Sequence, residues 1–192
     1  MPGRAKKAIG FLVSGRGSNM AAVTGEIAAG RLEAEARVVI CDHPEAPALA
    51  LAKNQGLPSV LIERQGYPRR QAFEEAMVRA LRGHGVNLVV LAGFMRLVGP
   101  TFLSAFPGRT INIHPSLLPA FPGLEAQRQA LDRGVKITGC TVHYVNEIMD
   151  GGPIIAQAAV MVEPDDTVER LSARILAQEH KLLPLAIAAL DL

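Results

Sequence analysis

The chain lacks the features of a membrane-spanning or disulfide-stabilised protein. None of its uncharged apolar runs approaches the ~18 residues that a membrane span needs. The basic N-terminus is followed by a six-residue apolar run at 8–13, which is too short for the core of a secretory signal. Cys41 and Cys140 lie far apart, and neither belongs to a C-x-x-C pair. We therefore expect reduced core thiols in a cytoplasmic protein.

Aromatic residues and an excess of one charge are also scarce. The chain has no tryptophan and two tyrosines, and 20 basic against 18 acidic residues give a formal net charge of +2. Nucleic-acid binding usually requires a basic surface or aromatic rings on which bases stack. We expect neither nucleic acid nor a membrane as a partner. Hydrophobic residues make up 49% of the 192 residues, which suffices for one domain with a substantial core.

The order of apolar and helical segments predicts an α/β fold. Strands are predicted at 8–13, 36–41, 59–62 and 87–91, and helices at 20–29, 45–55 and 68–82. This alternation is typical of a single open, mostly parallel twisted sheet with helices on both faces. We interpret 1–192 as a single domain, with a Rossmann-like half at 1–105 and a second half at 106–192.

The rest of the chain adds shorter strands and a long final helix. A short helix is predicted at 100–105, strands at 110–114, 138–146 and 154–162, and a helix at 124–133. The last helix is predicted to start at Asp166, with Glu169 three residues later as in a capping box, and to run towards Leu190. Pro184 should kink or divide it, because proline lacks the N–H that a helix needs.

The segment S-G-R-G-S-N at 14–19 joins the first strand to the first helix. Glycines allow a positive φ and a close approach of the backbone to a ligand. Free N–H groups at a helix start, together with Ser18 and Asn19, form an anion site. Met20 occupies the third position of a dinucleotide fingerprint, and no G-K-[ST] of a P-loop follows. The pattern leaves a phosphate loop and a structural β-α turn equally open.

Asn112 and His114 alternate with apolar residues in a short strand that Pro115 must end. Ligands of open α/β sheets bind at such carboxyl ends of strands. An amide can donate to an oxyanion, and an imidazole can move protons near neutral pH. By themselves, however, the two residues are better explained as a polar strand end capped by a turn.

Asp150 lies in the glycine-rich loop 147–153. A carboxylate there would orient His114 and favour its protonated form. Spacing alone favours a plain D-G turn. A zinc site of His114, His143 and Asp150 is an alternative, but no ligand spacing typical of zinc supports it.

Five motifs occur in the order found in phosphoribosylglycinamide formyltransferases, and the resemblance covers nearly the whole chain. They are S-G-R-G-S-N (14–19), L-A-G-F-M-R (91–96), N-I-H-P-S-L-L-P (112–119), H-Y-V (143–145) and D-G-G-P-I-I-A-Q (150–157). The resemblance implies transfer of a formyl group from 10-formyltetrahydrofolate to the glycinamide amine of N1-(5-phospho-D-ribosyl)glycinamide. The products would be the N2-formyl compound and tetrahydrofolate, in de novo purine (IMP) biosynthesis. It implies small-molecule substrates and no metal, and it leaves a homodimer open.

The resemblance implies that 1–105 is the phosphate-binding half and 106–192 the catalytic and folate-binding half. It also implies roles for individual residues, assigned by their positions in the motifs. Asn112, His114 and Asp150 are similar to the catalytic residues. Phosphate- and ribose-binding positions correspond to Gly17, Ser18, Asn19, Gly93 and Glu179. Folate-binding positions correspond to Arg70, Phe94, Met95, Arg96, Leu97 and Asn112. Leu176 and Glu125 differ from the residues that some relatives carry there, which puts local substrate contacts in question.

Two functions of other classes stay open. A formyltetrahydrofolate hydrolase would share the catalytic residues but admit water to the formyl group. A non-catalytic folate- or nucleotide-binding module would keep the glycine-rich loop and need none of the three catalytic residues.

Overall fold

The computed structural model describes residues 6–191, which form seven strands and six α-helices. The strands are β1 (Lys7–Val13), β2 (Ala34–Cys41), β3 (Ser59–Leu61), β4 (Leu88–Leu91), β5 (Thr110–His114), β6 (Ile137–Tyr144) and β7 (Ile154–Met161). The helices are α1 (Ser18–Ala28), α2 (Pro47–Asn54), α3 (Arg70–Gly83), α4 (Pro100–Ala105), α5 (Ala126–Asp132) and α6 (Val168–Ala189). The predicted order of elements is confirmed, and their ends differ by a few residues.

All seven strands lie in one sheet of order β3-β2-β1-β4-β5-β6-β7. The first five strands pair in parallel, whereas β6 and β7 run antiparallel to their neighbours. The mostly parallel open sheet is thus confirmed. Strand β5 borders both parts, because Asn112 pairs with Leu91 on one side and with His143 on the other. The division into halves at residue 105 stays a prediction.

Helices cover both faces of the sheet, as the sequence predicts. One buried cluster joins the sheet to α1, α2 and the end of α6, and a second joins the opposite face to α3 and α4. Strand β4 is buried along its whole length, as expected for a central strand covered on both sides. Cys41 is buried in the first of these clusters and Cys140 in a third, smaller cluster with Leu171 and Ile175, and both thiols are free.

The predicted features of the last helix are partly wrong. Its N-cap is Thr167, whose side chain accepts a hydrogen bond from the Arg170 N–H. Asp166 instead pairs with Arg174 and accepts a bond from the backbone N–H of Glu163. The helix also continues through Pro184 to Ala189, so proline does not divide it. Leu183 before this proline and Ala186 and Ile187 after it are buried in the core.

Two smaller observations concern the start of α3 and membrane spans. Helix α3 begins at Arg70, two residues after the proline that was expected to open it. Within residues 6–191, no helix is both long enough and apolar enough to cross a membrane.

Candidate active site

The antiparallel pairing of β5 and β6 places Asn112 directly opposite His143. The Nδ2 atom of Asn112 lies 3.2 Å from Nε2 of His143. Nδ1 of the same ring lies 2.9 Å from the carbonyl oxygen of Tyr144. A carbonyl can only accept, so Nδ1 carries the proton and Nε2 accepts from the Asn112 amide. One Asn112 N–H is thereby held, and its other N–H is free to serve a ligand.

The protonation of His143 supports this assignment. Burial lowers the pKa of His143, and the Tyr144 carbonyl and the Asp150 charge oppose that effect only in part. A neutral ring is the form that can accept from an amide. From the sequence, His143 is considered only as a ligand of the alternative zinc site, and its contact with Asn112 is not predicted. Its signal is the cross-strand register, which a sequence read strand by strand does not reveal.

His114 is 5% exposed and has an oxygen acceptor beside each ring nitrogen. Nε2 lies 2.9 Å from the carbonyl oxygen of Phe121, and Nδ1 lies 3.4 Å from Oδ2 of Asp150. A neutral imidazole has one N–H and can satisfy only one of these acceptors. The surroundings of His114 therefore suit the doubly protonated ring.

Asp150 is oriented towards both histidines by its own backbone and by the neighbouring loop. It has a φ of +52°, a left-handed conformation uncommon outside glycine and asparagine. Its Oδ2 accepts the Gly123 N–H at 2.7 Å, and its Oδ1 lies 3.7 Å from Nε2 of His143. A Cβ on Gly152 would lie 1.7 Å from the Tyr144 carbonyl oxygen, so only glycine fits there. The D-G-G turn therefore places a carboxylate as well as reversing the chain.

A cleft of about 780 Å³ extends from Asn112, His114 and Asp150 along the segment 93–100. Five large apolar side chains on its walls are more than half exposed to solvent: Met95, Leu97, Leu124, Ile148 and Met149. Exposed apolar groups gathered around one groove are typical of a ligand site. All of the predicted folate-binding residues line this cleft.

The segment that was predicted to bind folate is fixed near its start by the neighbouring strand ends. The Ser14 N–H donates to the Gly93 carbonyl at 3.1 Å, and Ser14 Oγ accepts the Met95 N–H at 2.9 Å. Arg96 Nε donates to Oδ2 of buried Asp42 at 2.5 Å. Phe94 is 8% exposed and belongs to the core cluster beneath α3 and α4. The Phe94 side chain anchors the segment. Phe94 therefore offers mainly its backbone to a ligand.

The glycine-rich loop lies beside the cleft rather than in its lining. Gly17 caps α1 with a φ of +74°, and a Cβ there would lie 2.8 Å from Cβ of Ala48. The position thus requires glycine for packing against α2 as well as for its backbone. The free N–H groups at the start of α1 follow directly, beginning at Ser18.

Glu179 is hydrogen-bonded to this loop and lies within electrostatic range of His114. Its Oε2 accepts the Asn19 amide at 2.7 Å. Burial raises the pKa of Glu179, and the Asn19 hydrogen bond and the charge of His114 oppose the shift. Glu179 is therefore a buried acidic group beside the glycine-rich loop, and its pKa also responds to the charge of His114.

Two further observations concern the alternative zinc site and the two residues, Glu125 and Leu176, that differ from those of some relatives. Glu125 lines the cleft and caps α5 with a φ of +56°, whereas Leu176 is half-buried on α6 outside the cleft lining. In the part of the chain from residue 6 to residue 191, no group of three His, Cys, Asp or Glu side chains is placed to hold a metal ion.

Comparison with known proteins gives a consistent result. Residues 7–187 match the formyl transferase family. The chain is 46% identical to the phosphoribosylglycinamide formyltransferase of Bacillus subtilis over 184 residues, which cover 96% of this chain and 94% of that protein. It is also 42% identical to the trifunctional purine biosynthetic protein adenosine-3 of Drosophila melanogaster, of which the match spans 14%.

A solved structure supports the same relationship. The crystal structure of glycinamide ribonucleotide transformylase 1 from Symbiobacterium toebii superposes with a TM-score of 0.94 at 51% identity, covering 95% of this chain and 86% of that one. The match spans both the parallel strands and the antiparallel strands that carry the site residues. The chain therefore belongs to the formyl transferase family, among the phosphoribosylglycinamide formyltransferases.

Proposed function

We propose that this enzyme transfers the formyl group of 10-formyltetrahydrofolate to the amine of phosphoribosylglycinamide, in de novo purine biosynthesis. The observation that carries the proposal is the meeting of Asn112, His114 and Asp150 at one end of a large cleft. An amide donor, an imidazole and a carboxylate within one site are the groups that acyl transfer to an amine needs.

Asn112 acts on the formyl oxygen. Attack by the substrate amine forms a new C–N bond and moves negative charge onto this oxygen. The N–H of Asn112 that is not engaged with His143 donates to it. A single donor of this kind contributes roughly 3–4 kcal/mol to the transition state. Because His143 fixes the amide beforehand, Asn112 need not reorient during the reaction.

His114 and Asp150 act on the protons. The amine loses one proton as the new bond forms, and the folate nitrogen gains one as the old C–N bond breaks, so the transfer is balanced. A protonated His114 donates towards the oxyanion or the leaving nitrogen, directly or through water. The Asp150 carboxylate, 3.4 Å from Nδ1, stabilises the charged ring.

The two substrates bind to different parts of the site. The start of α1, with Ser18 and Asn19, receives the phosphate, since helix N-termini bind anions, and Glu179 lies where the ribose hydroxyls would follow. Arg70 and Arg96 line the cleft and offer positive charge to the carboxylates of a folate tail. The exposed apolar side chains cover the ring system. The chemistry calls for no metal, because a deprotonated amine is already a nucleophile.

Product analysis with and without phosphoribosylglycinamide tests this function. The proposal predicts formylated ribonucleotide and tetrahydrofolate in equal amounts, with almost no turnover when the ribonucleotide is omitted. Formate released at the same rate in both cases would identify a hydrolase. Binding of both ligands without any product would identify a binding module. Light scattering on the same sample distinguishes a monomer from a homodimer, and fractionation of cells tests the proposed cytoplasmic location.

A further inference from the structure

Glu74 is a buried carboxylate that the proposed reaction does not use. It lies on α3 with a relative exposure of 2%, in a helix that otherwise buries apolar side chains. A carboxylate is seldom buried this deeply unless its oxygens are fully engaged. Its partners therefore indicate why the chain keeps a carboxylate at this position.

Both oxygens of Glu74 hold the beginning of α4. Oε1 accepts the Gly99 N–H at 2.8 Å, and Oε2 accepts the Phe102 N–H at 3.2 Å. These are the N–H groups of the N-cap and third residues of the helix. Gly99 has no side chain with which to cap them. Glu74 therefore caps α4 from a different helix.

The same carboxylate holds Arg70, which in turn holds the wall of the cleft. Arg70 Nε donates to Oε1 of Glu74 at 2.7 Å, and its Nη2 donates to the Leu97 carbonyl at 3.0 Å. The segment 93–100 is thus fixed near its start by Ser14 and Asp42 and at its end by this pair. The packing is tight, since a Cβ on Gly99 would lie 2.8 Å from Oε1 of Glu74 and 2.9 Å from Nη2 of Arg70.

We propose that Glu74 is a positioning residue for the folate cosubstrate, acting through the backbone of residues 97–99. This inference rests on the proposed function. It assigns Arg70 a role in addition to its expected contact with the folate tail, because the guanidinium is engaged with Glu74 and the Leu97 carbonyl before any ligand binds. Loss of the Glu74 charge should loosen the wall of the cleft at residues 97–99. The start of the segment, which Ser14 and Asp42 hold, and Asn112 should stay in place.

Three variants test the proposal. Glu74→Gln keeps the size of the side chain, but its amide nitrogen faces N–H donors. Gly99→Ala introduces a methyl group into the same contact from the α4 side, at a φ of −112° that alanine adopts without strain. Glu75→Gln is the matched control, because it removes the same charge one residue later on α3, where the carboxylate only accepts a bond from Gln71.

Kinetics with two cosubstrates give the readout. For Glu74→Gln and Gly99→Ala we expect the KM for 10-formyltetrahydrofolate to rise about tenfold, the effect of one lost charge-assisted hydrogen bond. The kcat and the KM for the ribonucleotide should stay within about twofold of wild type. Glu75→Gln should match wild type. The same rise in KM should appear with 10-formyltetrahydropteroate, which lacks the glutamate tail.

Each other outcome overturns the inference. An unchanged KM in both variants would show that the contacts do not shape the cleft. A rise in KM that occurs with 10-formyltetrahydrofolate but not with the tail-free cosubstrate would show that Glu74 only orients Arg70 towards the tail. If Glu74→Gln does not fold, Gly99→Ala decides alone. The wild-type rate is measured in parallel, so absence of formyl transfer in wild type would instead refute the proposed function.

Discussion

The parallel and antiparallel parts of the sheet contribute different groups to the site. At the carboxyl ends of β1 and β4, the site consists of the N–H groups at the start of α1 and of the segment after Gly93, whose exposed Met95 and Leu97 side chains form part of the cleft wall. Across β5 and β6, it consists of side chains, with Asn112 and His143 opposed in register. Parallel strands direct their loops to one edge, whereas antiparallel neighbours bring chosen side chains face to face. The comparison suggests that the first part binds substrates and the second carries out the chemistry.

The largest effects should follow loss of the two residues on β5. We expect Asn112→Ala to lower kcat by ~10²–10³, the usual result of removing one oxyanion donor, and His114→Ala to lower it by ~10²–10⁴, as for a general acid. Steady-state rates with both substrates at saturation measure these effects. Near-normal turnover in either variant would remove that residue from the mechanism.

A smaller effect is expected at Asp150, where the charge can be removed without changing the turn. Asn tolerates the left-handed φ of +52° and can still accept the Gly123 N–H, so Asp150→Asn should fold normally. We expect kcat to fall roughly tenfold to a hundredfold, less than the loss of a complete general acid. Unchanged activity would reduce Asp150 to a turn residue.

His143 tests whether the antiparallel register itself contributes to catalysis. Replacing it with Phe keeps a ring of similar shape but removes the acceptor that holds Asn112. We expect kcat to fall about tenfold, as for the loss of one hydrogen bond that orients a catalytic amide. In the double variant Asn112→Ala/His143→Phe, the two losses should not add, because both act through the same amide. Full additivity would show that His143 acts independently of Asn112.

The smallest expected effect concerns stability rather than rate. Burial lowers the pKa of His143 in the folded protein below its unfolded value of about 6.5. The unfolded state therefore binds more protons in this range, so the free energy of unfolding is at its full value above the unfolded pKa and declines as pH falls through the folded pKa. His180 contributes in the same direction, because burial lowers its pKa as well.

Denaturant unfolding between about pH 5 and pH 8 measures this dependence. His143→Phe should weaken the decline towards low pH without abolishing it, since His180 is retained. An identical pH dependence in the two proteins would show that His143 does not contribute to it.

How much could be predicted from the sequence differs between the two parts. The parallel part was predictable because continuous apolar runs, such as the one that became β4 at Leu88–Leu91, alternate with helical segments. The motif residues Asn112, His114 and Asp150 were also identified, and the structure brings them together. What sequence patterns describe well is local periodicity and short motifs.

Long-range partners were not predictable by the same reasoning. The contact of Asn112 with His143 depends on an antiparallel register between residues 31 positions apart. Glu74 lies on an amphipathic helix, where a glutamate ordinarily faces solvent, and only the approach of α4 shows that it is a cap. Each of these depends on tertiary contacts.

Titration calorimetry with phosphoribosylglycinamide tests the division between binding and chemistry most directly. His114→Ala should bind the ribonucleotide within about threefold of wild type, because the histidine acts on the transition state. Ser18→Ala should bind it about tenfold more weakly, because a hydrogen bond to a charged phosphate is lost. The opposite order, with weakened binding in His114→Ala and unchanged binding in Ser18→Ala, would contradict the account.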